Sequence, residues 1–147
     1  MVELFDLEGK STNKIALTGL PACGKTTVIQ RALKEIPHPK AGFFTRDVRK
    51  GRMRMGFMIE TVSGREALLA HREEFDTHHR IGPYGVFIEN IEALAVRSIE
   101  EGDPSAIFIV DEIGKMECLS NLFRDTIIRL LDSDRMVLAT IPVRGGP

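Results

Sequence analysis

"ALTGLPACGKTT", residues 16–27, decides the fold. Just upstream, "KIALT" (Lys14 to Thr18) reads as a short buried strand, apolar and bounded by turn signals. Downstream, Val28, Ile29, Ala32, Leu33 and Ile36 recur at spacings of three and four. That spacing marks one face of a helix from Lys25 to Ile36, which Pro37 and Pro39 stop. Between strand and helix, Gly19, four residues and then Gly24-Lys25-Thr26 complete the phosphate-loop pattern. Glycines let the backbone bend so that successive N–H groups point into one hollow and bind phosphate oxygens. The first amides of the helix add donors and a favourable dipole. Lys25 is suited to neutralise β- and γ-phosphates, and the Thr26 hydroxyl to help hold Mg²⁺. Ala22 and Cys23 place side chains inside the loop, and Cys23 reads as a small thiol filling space.

"AIFIVDEIGKME", residues 106–117, supplies the complementary half. Its apolar run, Ala106 to Val110, is a buried strand that delivers Asp111 and Glu112 to its carboxyl end. A phosphate-loop enzyme needs an acid there to hold Mg²⁺ through its water shell. Successive strand residues point to opposite faces, so the two acids take different tasks. Asp111 is assigned to the metal, and Glu112 to orienting or deprotonating the attacking water. Lys115 could reach phosphate, pair with Glu112 or Glu117, or simply lie at the surface.

Residues 41–71 read differently. Ala41–Val48, Met53–Glu60 and Arg65–Ala70 are strand-like runs separated by "RKGR" and "VSGR", which predicts an antiparallel meander. Residues 71–83 form a polar loop, and "YGVFIEN" a further strand. "NIEALAVRSIEEG" is a helix with Asn90 as N-cap and Gly102 as stop. "SNLFRDTIIRLLDS" is an amphipathic helix with Leu122, Phe123, Ile127, Leu130 and Leu131 on one side, and "MVLATI" is the last strand. Strands and helices thus alternate at both ends around an antiparallel insert. The expectation is a three-layer α/β/α domain over residues 14–147, with a mostly parallel central sheet and ligands beyond the strands' carboxyl ends. Residues 1–13 read as a loosely attached lead-in.

Arg46, Arg49, Arg52 and Arg54, with Lys50, cluster in the meander. An arginine meeting charge on a transferring phosphoryl group can contribute about 10³–10⁵ in rate. Arg49 or Arg54 could serve if the hairpin lies over a nucleotide; a solvated basic turn is the other reading. His71, Asp76, His78 and His79 lie on an irregular polar loop with no cysteine spaced for zinc, and read as solvated. Tyr84 is expected to pack against a strand.

The 147 residues correspond to one domain, with net charge −1 and a 43% hydrophobic share. Such balance argues against salt-driven binding to nucleic acid. No apolar stretch reaches bilayer-spanning length, and "MVELFDLEGKSTN" lacks the features of a signal peptide. Two cysteines in unrelated contexts, Cys23 and Cys118, argue against a disulfide scaffold and for a reducing cytoplasm. A monomer without membrane partners is expected.

Taken in order, "LTGLPACGKTT", "GFFTRDVRKGRMRMGF", "IGPYGV", "IFIVDEIGKME" and "ATIPV" resemble the thermophile-type, or cancer-related, nucleoside-triphosphatases. The similarity runs from Lys14 to the end, and "DEIGKME" and the "GF-T-x-x-VR" stretch are much more specific than the phosphate loop alone. The resemblance implies an α/β/α P-loop enzyme that hydrolyses ATP, GTP, CTP and UTP to diphosphate and phosphate with loose base selectivity. It implies two nucleotide-contacting segments. One is Gly19, Leu20, Pro21, Ala22, Cys23, Gly24, Lys25, Thr26 and Thr27. The other is Ile107, Phe108, Ile109, Val110, Asp111, Glu112, Ile113 and Gly114. It also puts Arg49 and Arg54 in matched positions, "VR" and "R-x-G-F". Ala22 stands where the family usually has glycine, and Asp47 where glutamate is usual. The family normally continues past "TIPV" with a helix, a strand and a basic tail, so those elements are expected to be missing here.

Two other readings of the residues stay open. One is a phosphotransferase acting on a nucleoside, nucleotide or other small hydroxyl compound, though only the 71–83 loop offers a lid. The other is a nucleotide-dependent switch with weak turnover; no Asn-Lys-x-Asp motif marks it as GTP-specific.

Overall fold

The structure, a computed structural model, describes residues 3–6 and 13–143. Its strands are β1 (Glu3–Asp6), β2 (Lys14–Gly19), β3 (Lys40–Lys50), β4 (Met53–Thr61), β5 (Glu66–His71), β6 (Arg80–Ile81), β7 (Tyr84–Val86), β8 (Ile107–Val110) and β9 (Met136–Pro142). They form one sheet in the order β1-β2-β9-β8-β3-β4-β5-β7-β6.

Only the centre is parallel: β2 pairs with β9, β9 with β8, and β8 with β3. Every other pairing is antiparallel, including β1 on β2. The sheet is therefore mixed, which corrects the expectation of a mostly parallel one. Short turns join β3 to β4, β4 to β5 and β6 to β7, and only antiparallel neighbours can be linked that way; parallel pairs need a crossover helix. Within the 1–13 lead-in, Glu3–Asp6 adds an edge strand to β2. The remaining lead-in residues, and those after Val143, lie outside the described residues.

Alternation along β8 builds the layers. Phe108 and Val110 enter a core with Phe43, Ile59, Ile91, Phe123, Ile127 and Leu130. Ile109, between them, joins Leu17, Ile29 and Leu33 on the opposite face. One face is thus covered by α1 (Lys25–Glu35). The other is covered by α4 (Asn121–Leu131) and a helical stretch made of α2 (Ile88–Asn90), a π-helical segment Ile91–Val96 and α3 (Arg97–Glu100). The Phe43 and Phe123 rings meet edge to face at 5.9 Å. Ser120 caps α4 by accepting the Phe123 N–H at 3.0 Å.

Two local expectations shift. The strand read as "YGVFIEN" ends at Val86, because Phe87 O already accepts helical hydrogen bonds from Asn90 and Ile91. Asn90 consequently lies inside the helix rather than capping it, and its Nδ2 donates to Leu68 O at 2.9 Å, tying the helix to β5. Gly102 does follow the end of α3, and packing also demands its small size: a Cβ there would sit 2.6 Å from the Phe108 ring.

Gly42 joins the parallel centre to the meander. Its φ is 101°, and a Cβ would fall 1.9 Å from Ile109 O, so β3 can lie against β8 only with glycine at this point. Phe43 pairs with Val110, the last residue of β8, yet β3 continues to Lys50. The β3–β4 hairpin therefore carries roughly 20 Å of extended chain past the sheet's carboxyl edge.

Candidate active site

At the carboxyl end of β2 the chain turns through Gly19–Gly24, with Cys23 N donating to Leu20 O at 3.2 Å. Gly24 is the N-cap of α1, at φ 97°, and makes no side-chain capping bond; no acid occupies the first turn. The first amides of α1 are thus left for an outside anion. Lys25 arches back over the loop, its Nζ donating to Gly19 O at 2.8 Å and Leu20 O at 3.2 Å. Ala22 adopts φ 58°. That left-handed conformation costs a non-glycine residue about 1–2 kcal/mol, and it lets the loop keep its bend although glycine is absent. Leu20, Pro21 and Thr27 are exposed, so the loop presents its rim to solvent.

Asp111 follows β8 directly and is 3% exposed. Its Oδ2 accepts from Thr26 Oγ1 at 2.6 Å and its Oδ1 from Thr140 Oγ1 at 2.6 Å. Its N–H donates to Phe43 O at 3.2 Å. The phosphate loop and the strand-end acid therefore meet by direct contact. Burial pushes the Asp111 carboxyl above the usual range, while the two hydroxyls and the Lys25 ammonium pull against it. Glu112 is raised as well, first by burial and then by the Asp111 charge, and Lys25 again opposes. Both acids thus feel the same lysine. Strand alternation does not separate them, since β8 ends at Val110; their partners do. Asp111 is locked under two threonines, whereas Glu112 points its Oε1 toward Gly114.

Phe108, Ile109 and Val110 are wholly buried, so their side chains build the core. Ile107 is half-buried, and beyond Val110 the segment leaves the strand at Asp111.

Two residues escaped the sequence reading. Thr140 lies on β9 between β2 and β8 and is fully buried; only its place in "ATIPV" could have flagged it. Glu117, read as no more than a partner for Lys115, is 3% exposed, with its carboxyl pushed up to about 8 by burial and by the Glu112 charge. Its signal was a charged residue in an otherwise apolar stretch, "MECL".

On the hairpin, Arg49 and Arg54 both reach one oxygen, Asp47 Oδ2, at 2.9 and 3.0 Å. The Arg54 guanidinium also lies 5.2 Å from the Phe57 ring centre. Arg46 pairs instead with Glu66 at 3.1 Å and Glu60 at 3.7 Å. Among the described residues no ion pair joins these arginines to Asp111 or Glu112. Tyr84 packs edge to face on Phe57 of β4 at 5.3 Å, as expected of a residue against a strand. Cys23 and Cys118 are both free thiols. Among the described residues no cluster of three or more His, Cys, Asp or Glu side chains could hold a metal.

Comparison with known proteins agrees with this geometry. A family model described as NTPase matches residues 14–146. The nucleoside-triphosphatase THEP1 of Thermotoga maritima is 41% identical over 135 residues, covering 91% of this chain and 76% of that protein. The human cancer-related nucleoside-triphosphatase is 36% identical over 145 residues, covering 90% and 76%. The crystal structure of THEP1 from Aquifex aeolicus superposes with a TM-score of 0.80 at 36% identity, over 89% of this chain and 77% of that one. With a P-loop that touches its strand-end acid and sequence similarity spread along almost the whole chain, the protein belongs to the NTPase family, alongside the THEP1 and cancer-related nucleoside-triphosphatases.

Proposed function

We propose that this chain hydrolyses nucleoside 5′-triphosphates, ATP, GTP, CTP and UTP alike, to the diphosphate and phosphate, in a Mg²⁺-dependent reaction in the cytoplasm and as a monomer. The observation that carries the reading is the 2.6 Å hydrogen bond from Thr26 to Asp111, which joins the two halves of the site. The names of its relatives agree. Loop amides, the α1 N-terminus and Lys25 bind phosphate oxygens that every nucleoside triphosphate shares, which supports loose base selectivity. Lys25 exchanges its two carbonyl partners for β- and γ-phosphate oxygens when the tail enters. Glu112, beside Lys25 and less enclosed than Asp111, is the base that orients water and takes its proton.

The residues present fit Mg²⁺. Thr26 and Asp111 offer a hydroxyl and a carboxylate, hard oxygen donors, next to the loop that takes the phosphates. When bound there, the cation supplies charge neutralisation at the phosphate oxygens. Its presence would also favour the ionised form of an Asp111 carboxyl that burial otherwise raises. Cytoplasmic placement is supported by the two free thiols. Among the described residues no helix is long and apolar enough to cross a membrane.

Phosphate release from the four triphosphates, with and without Mg²⁺, tests the proposal. Lys25→Ala and Glu112→Gln are each expected to lower turnover by about 10²–10⁴. Turnover that survives both substitutions refutes it. Label from the γ-phosphate appearing on an acceptor, not as free phosphate, would assign a kinase instead.

A further inference from the structure

On the hairpin beside the phosphate loop, one acid occupies two arginines at once. β3 leaves the parallel centre at Phe43, whose carbonyl accepts the Asp111 N–H at 3.2 Å. Asp47 follows on the same strand, roughly 13 Å further past the carboxyl edge. Arg49 and Arg54 stand opposite each other across the hairpin, a placement that sets like charges against one another. The register shifts between Val48 and Arg49, an irregularity of the kind that re-aims a side chain. Both Nη2 atoms end within 3.0 Å of Asp47 Oδ2, so two cations converge on one oxygen.

Each arginine also has a support that does not depend on Asp47. The Arg54 guanidinium lies 5.2 Å from the Phe57 ring centre, and its backbone oxygen accepts from Arg72 Nε at 2.8 Å. Arg49 Nη1 donates to Arg52 O at 3.3 Å. Among the described residues no second acid forms an ion pair with either guanidinium.

We propose that Asp47 is a specificity-determining residue, a built-in stand-in for the γ-phosphate that keeps Arg49 and Arg54 converged until a triphosphate displaces it. Two guanidinium groups aimed at one point repel unless an anion sits between them, and the carboxylate supplies that anion. A terminal phosphate brings more charge and three acceptor oxygens, which arginine forks match, and it wins the exchange. A diphosphate lacks that group and leaves the Asp47 pairs in place. Asp47 thus sets a charge threshold that separates substrate from product, and it reclaims the arginines once phosphate departs. The pairs are exposed and therefore weak enough to trade. Because Phe57 and Arg52 O keep both arginines aimed, removing Asp47 frees them rather than scattering them.

The inference rests on the hydrolase reading, and the test separates the two. The full chain with Mg²⁺ is titrated with a non-hydrolysable ATP analogue and with ADP. Asp47→Ala is expected to bind the analogue about three- to tenfold more tightly, with the ADP Kd within about twofold of the parent. Asp47→Asn should show the same direction, and Asp47→Glu, which restores the charge, should bind as the parent does. Glu66→Gln removes an equal charge from beside Arg46 on the same meander and should leave both affinities unchanged. With Arg49 and Arg54 both replaced by alanine, Asp47→Ala should add nothing. An Asp47→Ala variant that binds the analogue no more tightly than the parent overturns the proposal. So does an equal gain for ADP, or a gain that persists without the two arginines. A parent that releases no phosphate, yet binds the analogue more tightly without Asp47, fails the hydrolase reading and keeps this one. A parent that hydrolyses triphosphates and is indifferent to Asp47→Ala fails only this inference.

Discussion

At the carboxyl edge of the parallel strands, Asp111 is 3% exposed and each of its oxygens takes a threonine hydroxyl at 2.6 Å. On the β3–β4 hairpin beside that edge, the Asp47 side chain is 33% exposed and holds two arginines on a single oxygen. The first acid is fixed from β9 and α1 at once and cannot move without breaking the core. The second sits in ion pairs of a kind worth about 0–1 kcal/mol, which a stronger anion can displace. The strand end that carries Asp111 is thus held rigidly, and the cationic hairpin beside it only loosely. Rigid donors need no reorganisation during reaction, while exposed ion pairs are free to trade partners.

Gly42, where the two regions join, offers the most drastic way to break the comparison. Gly42→Ala forces a Cβ into the Ile109 carbonyl at a positive φ. A destabilisation of about 4 kcal/mol or more is expected, read by denaturant unfolding. A variant with parent stability would mean that β3 and β8 are not in contact there.

Next in size is the arm itself. Arg49→Ala or Arg54→Ala is expected to lower kcat more than nucleotide affinity, by up to about 10³-fold for whichever arginine reaches the transferring phosphoryl group. Equal kcat in both variants and the parent would remove the hairpin from catalysis and leave it a solvated basic turn.

The smallest effect sharpens the rigid side. Ala22 holds φ 58° in the loop, so Ala22→Gly should relieve about 1 kcal/mol of strain and raise the melting temperature. Unchanged or lower stability would show that alanine carries no such strain.

Short-range features of the chain were readable because their causes are short-range. The glycine spacing of residues 19–24, the strand before Asp111 and the meander turns at Gly51 and Gly64 all appear in the structure where the sequence put them. The helix read as starting at Asn90 begins instead at Ile88, since Phe87 O is drawn into helical bonds and the Asn90 amide is used to hold β5. Thr140 and Glu117 stayed hidden for a different reason. Thr140 stands 29 residues from Asp111, the acid it donates to, and Glu117, though close in sequence to Glu112, is marked only by a charge in an apolar stretch.

By itself, the sequence determined that a phosphate loop would follow one strand, that an acidic pair would end another, and that an antiparallel meander would separate them. Periodicity, glycine spacing and turn chemistry act within a few residues, and those suffice for such features. Tertiary structure alone decided that β9 would lie between the strands that carry the loop and the acid and bring Thr140 to Asp111, and that Glu117 would be buried. It also decided that most neighbours in the sheet would be antiparallel. These depend on which strands become neighbours and which side chains lose water together, and both are properties of the packed chain as a whole.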